Sequence, residues 1–155
     1  MTMEPSAPSP AQWLERAANG GLAPAQFRLG GMYEKGIGVR KDLRQARRLY
    51  LAAAAKGNAK AMHNLAVLLA DGGSNNPDYV GAKKWFLKAA ENGVRDSQFN
   101  LAVLNARGMG TPQDVQSAYV WFAIAAQQGD SEAAKKRDEL NARLSGEQMK
   151  AAKST

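Results

Sequence analysis

Residues 25–60 read AQFRLGGMYEKGIGVRKDLRQARRLYLAAAAKGNAK, and the chain repeats that outline twice more, as 61–96 and 97–132, without an insertion or deletion. Trp13, Leu49, Trp85 and Trp121 each stand 36 residues after the one before. Gly21, Gly57, Gly93 and Gly129 keep the same interval, as do Leu29, Leu65 and Leu101, then Asp42, Asp78 and Asp114, then Ala46, Ala82 and Ala118. Self-similarity at a fixed period of about 20–50 residues is the signature of stacked repeats, in which each unit buries its apolar face only against its neighbours.

Each unit reads as two helices. In the first, Ala25, Leu29 and Tyr33 fall at i, i+4, i+8, with the small Gly30 beside Leu29 so that a facing helix can approach closely. Gly36 then supplies a left-handed helix end, and Asp42 is placed to cap the next helix. That second helix carries Ala46, Leu49, Tyr50, Ala53 and Ala54, a face wide enough to bury on two neighbours, and Gly57 ends it. The expected fold class is therefore all-α, an α-solenoid of helix-turn-helix repeats. Residues 11–24 supply only the second half of a unit, with Trp13, Leu14, Ala17 and Ala18 on one stripe, and residues 1–10, rich in Pro and Ser, read as a linker. The half-unit suggests a piece of a longer protein. Past the third unit, Arg137 and Asp138 replace the expected leucine and small residue. A capping helix over 131–144 is expected to keep an inner face of Ala133, Ala134 and Leu140. Residues 145–155 read as a short last helix or tail, with Ser145 and Gln148 as its capping box.

Composition removes several function classes. There is no cysteine, which excludes thiol chemistry and disulfides, and no apolar run approaches the ~18 residues of a membrane span. The single histidine, His63, has only Asn64 as a polar neighbour in sequence, so neither a metal site nor a general base is expected, and it reads as a stand-in for an aromatic. The loop from Asp71 to Asp78 lacks the glutamate and spacing of a calcium site. No catalytic constellation and no cofactor motif is present, so an enzyme is not expected. With 21 basic against 14 acidic residues the net charge is +7, which favours acidic partners. Nucleic acid is not expected, because no base-reading module accompanies the charge.

Ala25, Leu29, Gly30, Tyr33, Gly36, Gly38, Val39, Asp42, Ala46, Leu49, Tyr50, Ala53, Ala54 and Gly57, matched in register by the next two units, resemble the Sel-one-like repeat, a relative of the tetratricopeptide repeat. The departures are Ser74 and Asn75 in the second connection and Asn105 in place of an aromatic. More narrowly, residues 61–67 (AMHNLAV), 94–102 (VRDSQFNLA) and 132–139 (EAAKKRDE) are similar to repeats near the C-terminus of the PodJ family of alphaproteobacterial polar localisation factors. The resemblance implies a right-handed superhelix, a periplasmic part of an inner-membrane protein, and a scaffold organising the cell pole.

In such a superhelix the first helices line the concave side. Phe27, His63 and Phe99, with Val67 and Val103 beside them, would then form an apolar strip for a protein partner, flanked by Arg28, Asn64 and Asn100. Alternatively these side chains pack only against neighbouring helices. Arg44, Arg47, Arg48, Lys83 and Lys84 point away from the buried stripe and would form a basic convex surface. Peptidoglycan, another glycan or an anionic envelope surface is the partner expected there, if it is more than a solvated face. A monomer is expected.

Overall fold

The computed structural model describes residues 7–73, 76–144, 150 and 153. Among these stand eight helices and no strand: α1 (Pro10–Asn19), α2 (Ala23–Lys35), α3 (Leu43–Ala55), α4 (Ala59–Asp71), α5 (Tyr79–Glu91), α6 (Arg95–Arg107), α7 (Val115–Gln127) and α8 (Ser131–Arg143). They fall into two compact units, divided between Ala61 and Met62. In the first unit α1 packs on α2 and α2 on α3; in the second α5 packs on α6, α6 on α7 and α7 on α8.

The periodic polar residues close the helices. The carboxylate of Asp42 accepts from the backbone N–H groups of Arg44 (3.0 Å) and Gln45 (3.2 Å), that of Asp78 from Gly81 (2.8 Å) and that of Asp114 from Ser117 (3.0 Å). The same aspartates donate their own N–H back to the end of the preceding helix, to the carbonyls of Tyr33, Leu69 and Asn105 at 2.8–2.9 Å. One residue type thus starts the second helix and ties the connection shut. At the far end Asn58 N–H reaches Ala53 O and Gly57 N–H reaches Ala54 O, the paired bonds of a Schellman motif. Gly57 stands at φ +94° to make them, a conformation that costs glycine nothing.

Burial follows the predicted stripes. Ala46, Leu49, Tyr50, Ala53 and Ala54 of α3 are buried, as are their counterparts Ala82, Trp85, Phe86, Ala89 and Ala90 of α5. In the first unit Ala18, Ala25, Leu29 and Leu49 form one cluster; in the second Ala102, Ala118, Phe122, Ala125, Ala133 and Leu140 form another. Each buried leucine or phenylalanine contributes on the order of 1.5–3 kcal/mol, and the alanines let helices meet at close range. In α8, Ala133 and Leu140 are buried, and the Arg137 guanidinium turns aside to Asp138 (3.0 Å), so charge replaces an apolar outer face.

Two expectations change. The expected linker ends earlier, because Pro10 opens α1 and Ser9 caps it in a reciprocal capping box with Gln12 (2.8 and 3.2 Å). Trp13 does not join the buried stripe of α1: it is 57% exposed, whereas its counterpart Leu49 is 2% exposed. Ala11 and Ala18, with Leu14 and Ala17 partly buried, make the inner face instead, and the Arg16 guanidinium lies 5.1 Å from the centre of the Trp13 ring. Asn105, a departure from the repeat pattern, is buried and keeps the backbone tie to Asp114. The Ser74–Asn75 departure and the Ser145/Gln148 capping box lie outside the described residues.

Candidate functional site

The aromatic row expected on the first helices is half committed to packing. Phe27 lies 5.9 Å, centre to centre, from Tyr50; His63 lies 5.8 Å from Phe86; Phe99 meets Phe122 edge-on at 5.3 Å. In every case the first-helix ring leans on the second-helix ring of its own repeat, an arrangement worth about 0.5–1.5 kcal/mol beyond area burial. All three first-helix rings are half-buried. Val103 packs against the Ala102/Phe122 cluster and is half-buried, Asn64 and Asn100 are half-buried, and Val67 and Arg28 are exposed.

What stays open is found at the N-terminal ends of the first helices. In the first unit a cleft of about 730 Å³ has an apolar floor of Leu14, Leu22, Pro24 and Phe27, with Arg28 and Lys60 on its rim. Leu22 is 59% exposed there, since it precedes α2 without a capping side chain. In the second unit a cleft of about 370 Å³ brings Phe99, Asn100 and His63 together with Asp96, Asp130 and Glu132. Asp130 also caps α8 through the N–H of Ala133 (3.0 Å).

His63 has a partner that sequence neighbours could not reveal. Its Nδ1 lies 2.7 Å from the hydroxyl of Ser97, which is fully buried and would otherwise lack a bond. Burial pushes the imidazole below its ordinary pKa, and the charge of Asp96 offsets part of that. The ring is thus a half-buried polar partner in an aromatic position.

The expected basic surface divides. Arg44, Arg47 and Arg48 are exposed and, with Asp42, Gln45 and Leu51, line a cleft of about 540 Å³ in the first unit. Arg48 Nε donates to Gln45 Oε1 at 2.8 Å. In the second unit Lys83 is no free surface cation: it is half-buried and donates to Thr111 Oγ1 at 2.6 Å, tying α5 to the connection after α6. Lys84 and Lys88 lie over the ring of Trp85 at 5.2 and 4.9 Å, shielding that ring from water.

Sequence reasoning missed Leu22, Lys60, Asp96, Asp130 and Glu132. Their signal was a change of character at the two positions flanking each helix start, which read Leu22, Asn58, Val94 and Asp130 on one side and Pro24, Lys60, Asp96 and Glu132 on the other.

Four segments, residues 11–22, 23–58, 59–94 and 95–130, match the Sel1 repeat family model. The three full frames open two residues before 25–60, 61–96 and 97–132 and have the same length. Among solved structures, a Sel1 repeat protein from Oxalobacter formigenes is 32% identical, with a TM-score of 0.78 over 83% of this chain and 53% of that one. A protective antigen of uropathogenic Escherichia coli strains with an SLR fold is 35% identical, with a TM-score of 0.80 over 92% of this chain and 31% of that one. Helicobacter pylori cysteine-rich protein B, 16% identical with a TM-score of 0.62, shares the fold. Among curated proteins, rat DAP3-binding cell death enhancer 1 is 43% identical over 56 residues, 36% of this chain and 11% of its own length. Chitin synthase regulatory factor 3 of Schizosaccharomyces pombe is 45% identical over 53 residues, 34% of this chain and 6% of its own. The chain thus spans a small part of both curated relatives, and the fold class is the all-α solenoid of helical repeats. With Sel1 repeats matched over residues 11–130, three of them full 36-residue units in register, the chain belongs to the Sel1 repeat family.

Proposed function

We propose that this domain is a non-catalytic scaffold that holds protein partners on the first-helix surfaces of its repeats. The observation that carries the reading is the pair of clefts in which a half-buried phenylalanine, Phe27 or Phe99, is ringed by charged side chains. An apolar floor with a polar rim is the anatomy of a peptide-docking surface. Sel1 repeat proteins generally act as interaction scaffolds and are typically non-enzymatic. One curated relative is named for binding DAP3 and the other for regulating chitin synthase, which supports the same reading here.

In its narrower form the proposal places the domain in the periplasm as part of a cell-pole organising factor. The similarity of residues 61–67, 94–102 and 132–139 to the repeats of polar localisation factors supports that form. The test is a pull-down from an alphaproteobacterial envelope extract with the wild type beside Arg28→Glu/Val67→Glu, two exposed positions, and beside Phe27→Asp/Phe99→Asp with helicity checked by circular dichroism. A pole-associated protein captured by the wild type and lost by the variants supports the proposal. Equal capture by all three proteins overturns it.

A second reading, a peptidoglycan or other glycan contact, is favoured by the exposed Arg44, Arg47 and Arg48 beside Leu51. Reversing those three charges abolishes sedimentation with purified wall material if this reading holds, and leaves the pull-down unchanged.

A further inference from the structure

The Phe27 and Phe99 clefts occupy the same place in the repeat, 72 residues apart in sequence. Under that shift Leu22 corresponds to Val94 and Phe27 to Phe99, so these two positions stay apolar. The others do not keep their character: Pro24 of the floor corresponds to Asp96, and around it Arg28 corresponds to Asn100, Asn58 to Asp130 and Lys60 to Glu132. The repeat fold accepts either sign at these positions, so the charge of each rim is free to serve something other than folding.

In the first unit no described residue pairs with that charge. Arg28 and Lys60 are exposed, and neither has a hydrogen-bond or ion-pair partner among the described residues. The residues up to Ala61 carry 10 basic and 4 acidic side chains, a net charge of +6 around an apolar cleft large enough for a bulky side chain.

We propose that the Phe27 cleft docks an acidic peptide segment of a partner protein. An aliphatic or aromatic side chain of the segment lies on Leu22, Pro24 and Phe27, and carboxylates on either side of it meet Arg28 and Lys60. The Phe99 cleft, with Asp96, Asp130 and Glu132 around an equivalent ring, repels the same segment. The inference rests on the scaffold reading and names the chemistry of its partner. Because the ion pairs are exposed, salt weakens the complex, while the apolar anchor does not depend on it.

The test is a titration of the full ¹⁵N-labelled chain followed by amide chemical shifts. One probe is a short peptide with a single tryptophan between glutamates, and the other is its counterpart with lysines. The acidic peptide is expected to move the signals of Phe27, Arg28 and Lys60 and to leave those of Phe99 and Asn100 in place. Arg28→Glu with Lys60→Glu, both on the exposed rim, is expected to weaken it roughly tenfold and to admit the lysine peptide. Shifts centred on Arg44, Arg47 and Arg48, equal binding of both peptides, no shift by about 1 mM peptide, or a dimer of the chain already filling the cleft would each overturn it. If any of these occurs while the envelope pull-down still loses its partner in the Arg28→Glu/Val67→Glu variant, the scaffold reading stands and only the partner's chemistry falls.

Discussion

The phenol of Tyr50 donates a 2.5 Å hydrogen bond to the Glu34 carboxylate, joining α3 to the exposed end of α2. At the equivalent positions of the next two repeats the pairs are Phe86 with Ala70 and Phe122 with Ala106. The hydroxyl is present only where the acid is. Tyr50 is fully buried, so removing the acid takes a charged acceptor away from a buried hydroxyl. Glu34→Ala is expected to cost about 1–3 kcal/mol, and Tyr50→Phe/Glu34→Ala less than the two single changes added together. Urea unfolding of the four proteins of this cycle measures the coupling.

Gly30 is the small residue on which the α2–α3 approach depends. A methyl group added there would stand 2.9 Å from Cδ1 and Cε1 of the Tyr50 ring, inside any real contact distance. Gly30→Ala should raise helix propensity by up to about 1 kcal/mol but cost roughly 1–3 kcal/mol in overpacking, so a net fall in thermal midpoint is expected. A rise would show that the ring moves freely.

His63 makes stability depend on pH in one direction. Its folded pKa lies below the ordinary 6.5, so well above 6.5 the group is neutral in both states and contributes no slope. As pH falls below that value the unfolded chain takes the proton first, and stability declines until the folded pKa is passed. The partner Ser97 is matched by Ala61 and Ala133 where Phe27 and Phe99 replace the histidine. His63→Phe/Ser97→Ala should therefore flatten the decline in urea midpoint between about pH 7 and pH 5.

Asp114 accepts from both the N–H and the hydroxyl of Ser117, and these bonds hold its carboxyl below the usual carboxylate range. Asp114→Ala is expected to cost about 0.5–2 kcal/mol by uncapping α7, and Asp114→Asn a fraction of that. Hydrogen exchange at the Gln116 and Ser117 amides reports the cap itself: faster exchange in the alanine variant is the expected result, and unchanged exchange would assign the cost elsewhere.

The period of 36 residues determined the helices, their order and most of the core, because each repeated residue answers a local requirement. Asp42 is followed by free amides that need an acceptor, Gly57 stands where a helix must turn left-handed, and the Ala46/Leu49/Tyr50/Ala53 spacing leaves one face out of water. Such requirements are satisfied within a few residues and so are written in the sequence. Trp13 shows the limit: it carries the periodic aromatic but stands exposed, because burial depends on what lies opposite. The rings of Phe27 and Phe99 were legible as positions, yet only packing against Tyr50 and Phe122 decided that each is half spent inside its repeat. The tertiary structure also decided what surrounds them. Lys60 is 33 residues from Phe27, Glu132 is 33 from Phe99 and Ser97 is 34 from His63. Helix pairing across nearly one full period brings such residues together, and that proximity is a property of the packed helices rather than of any one stretch of chain.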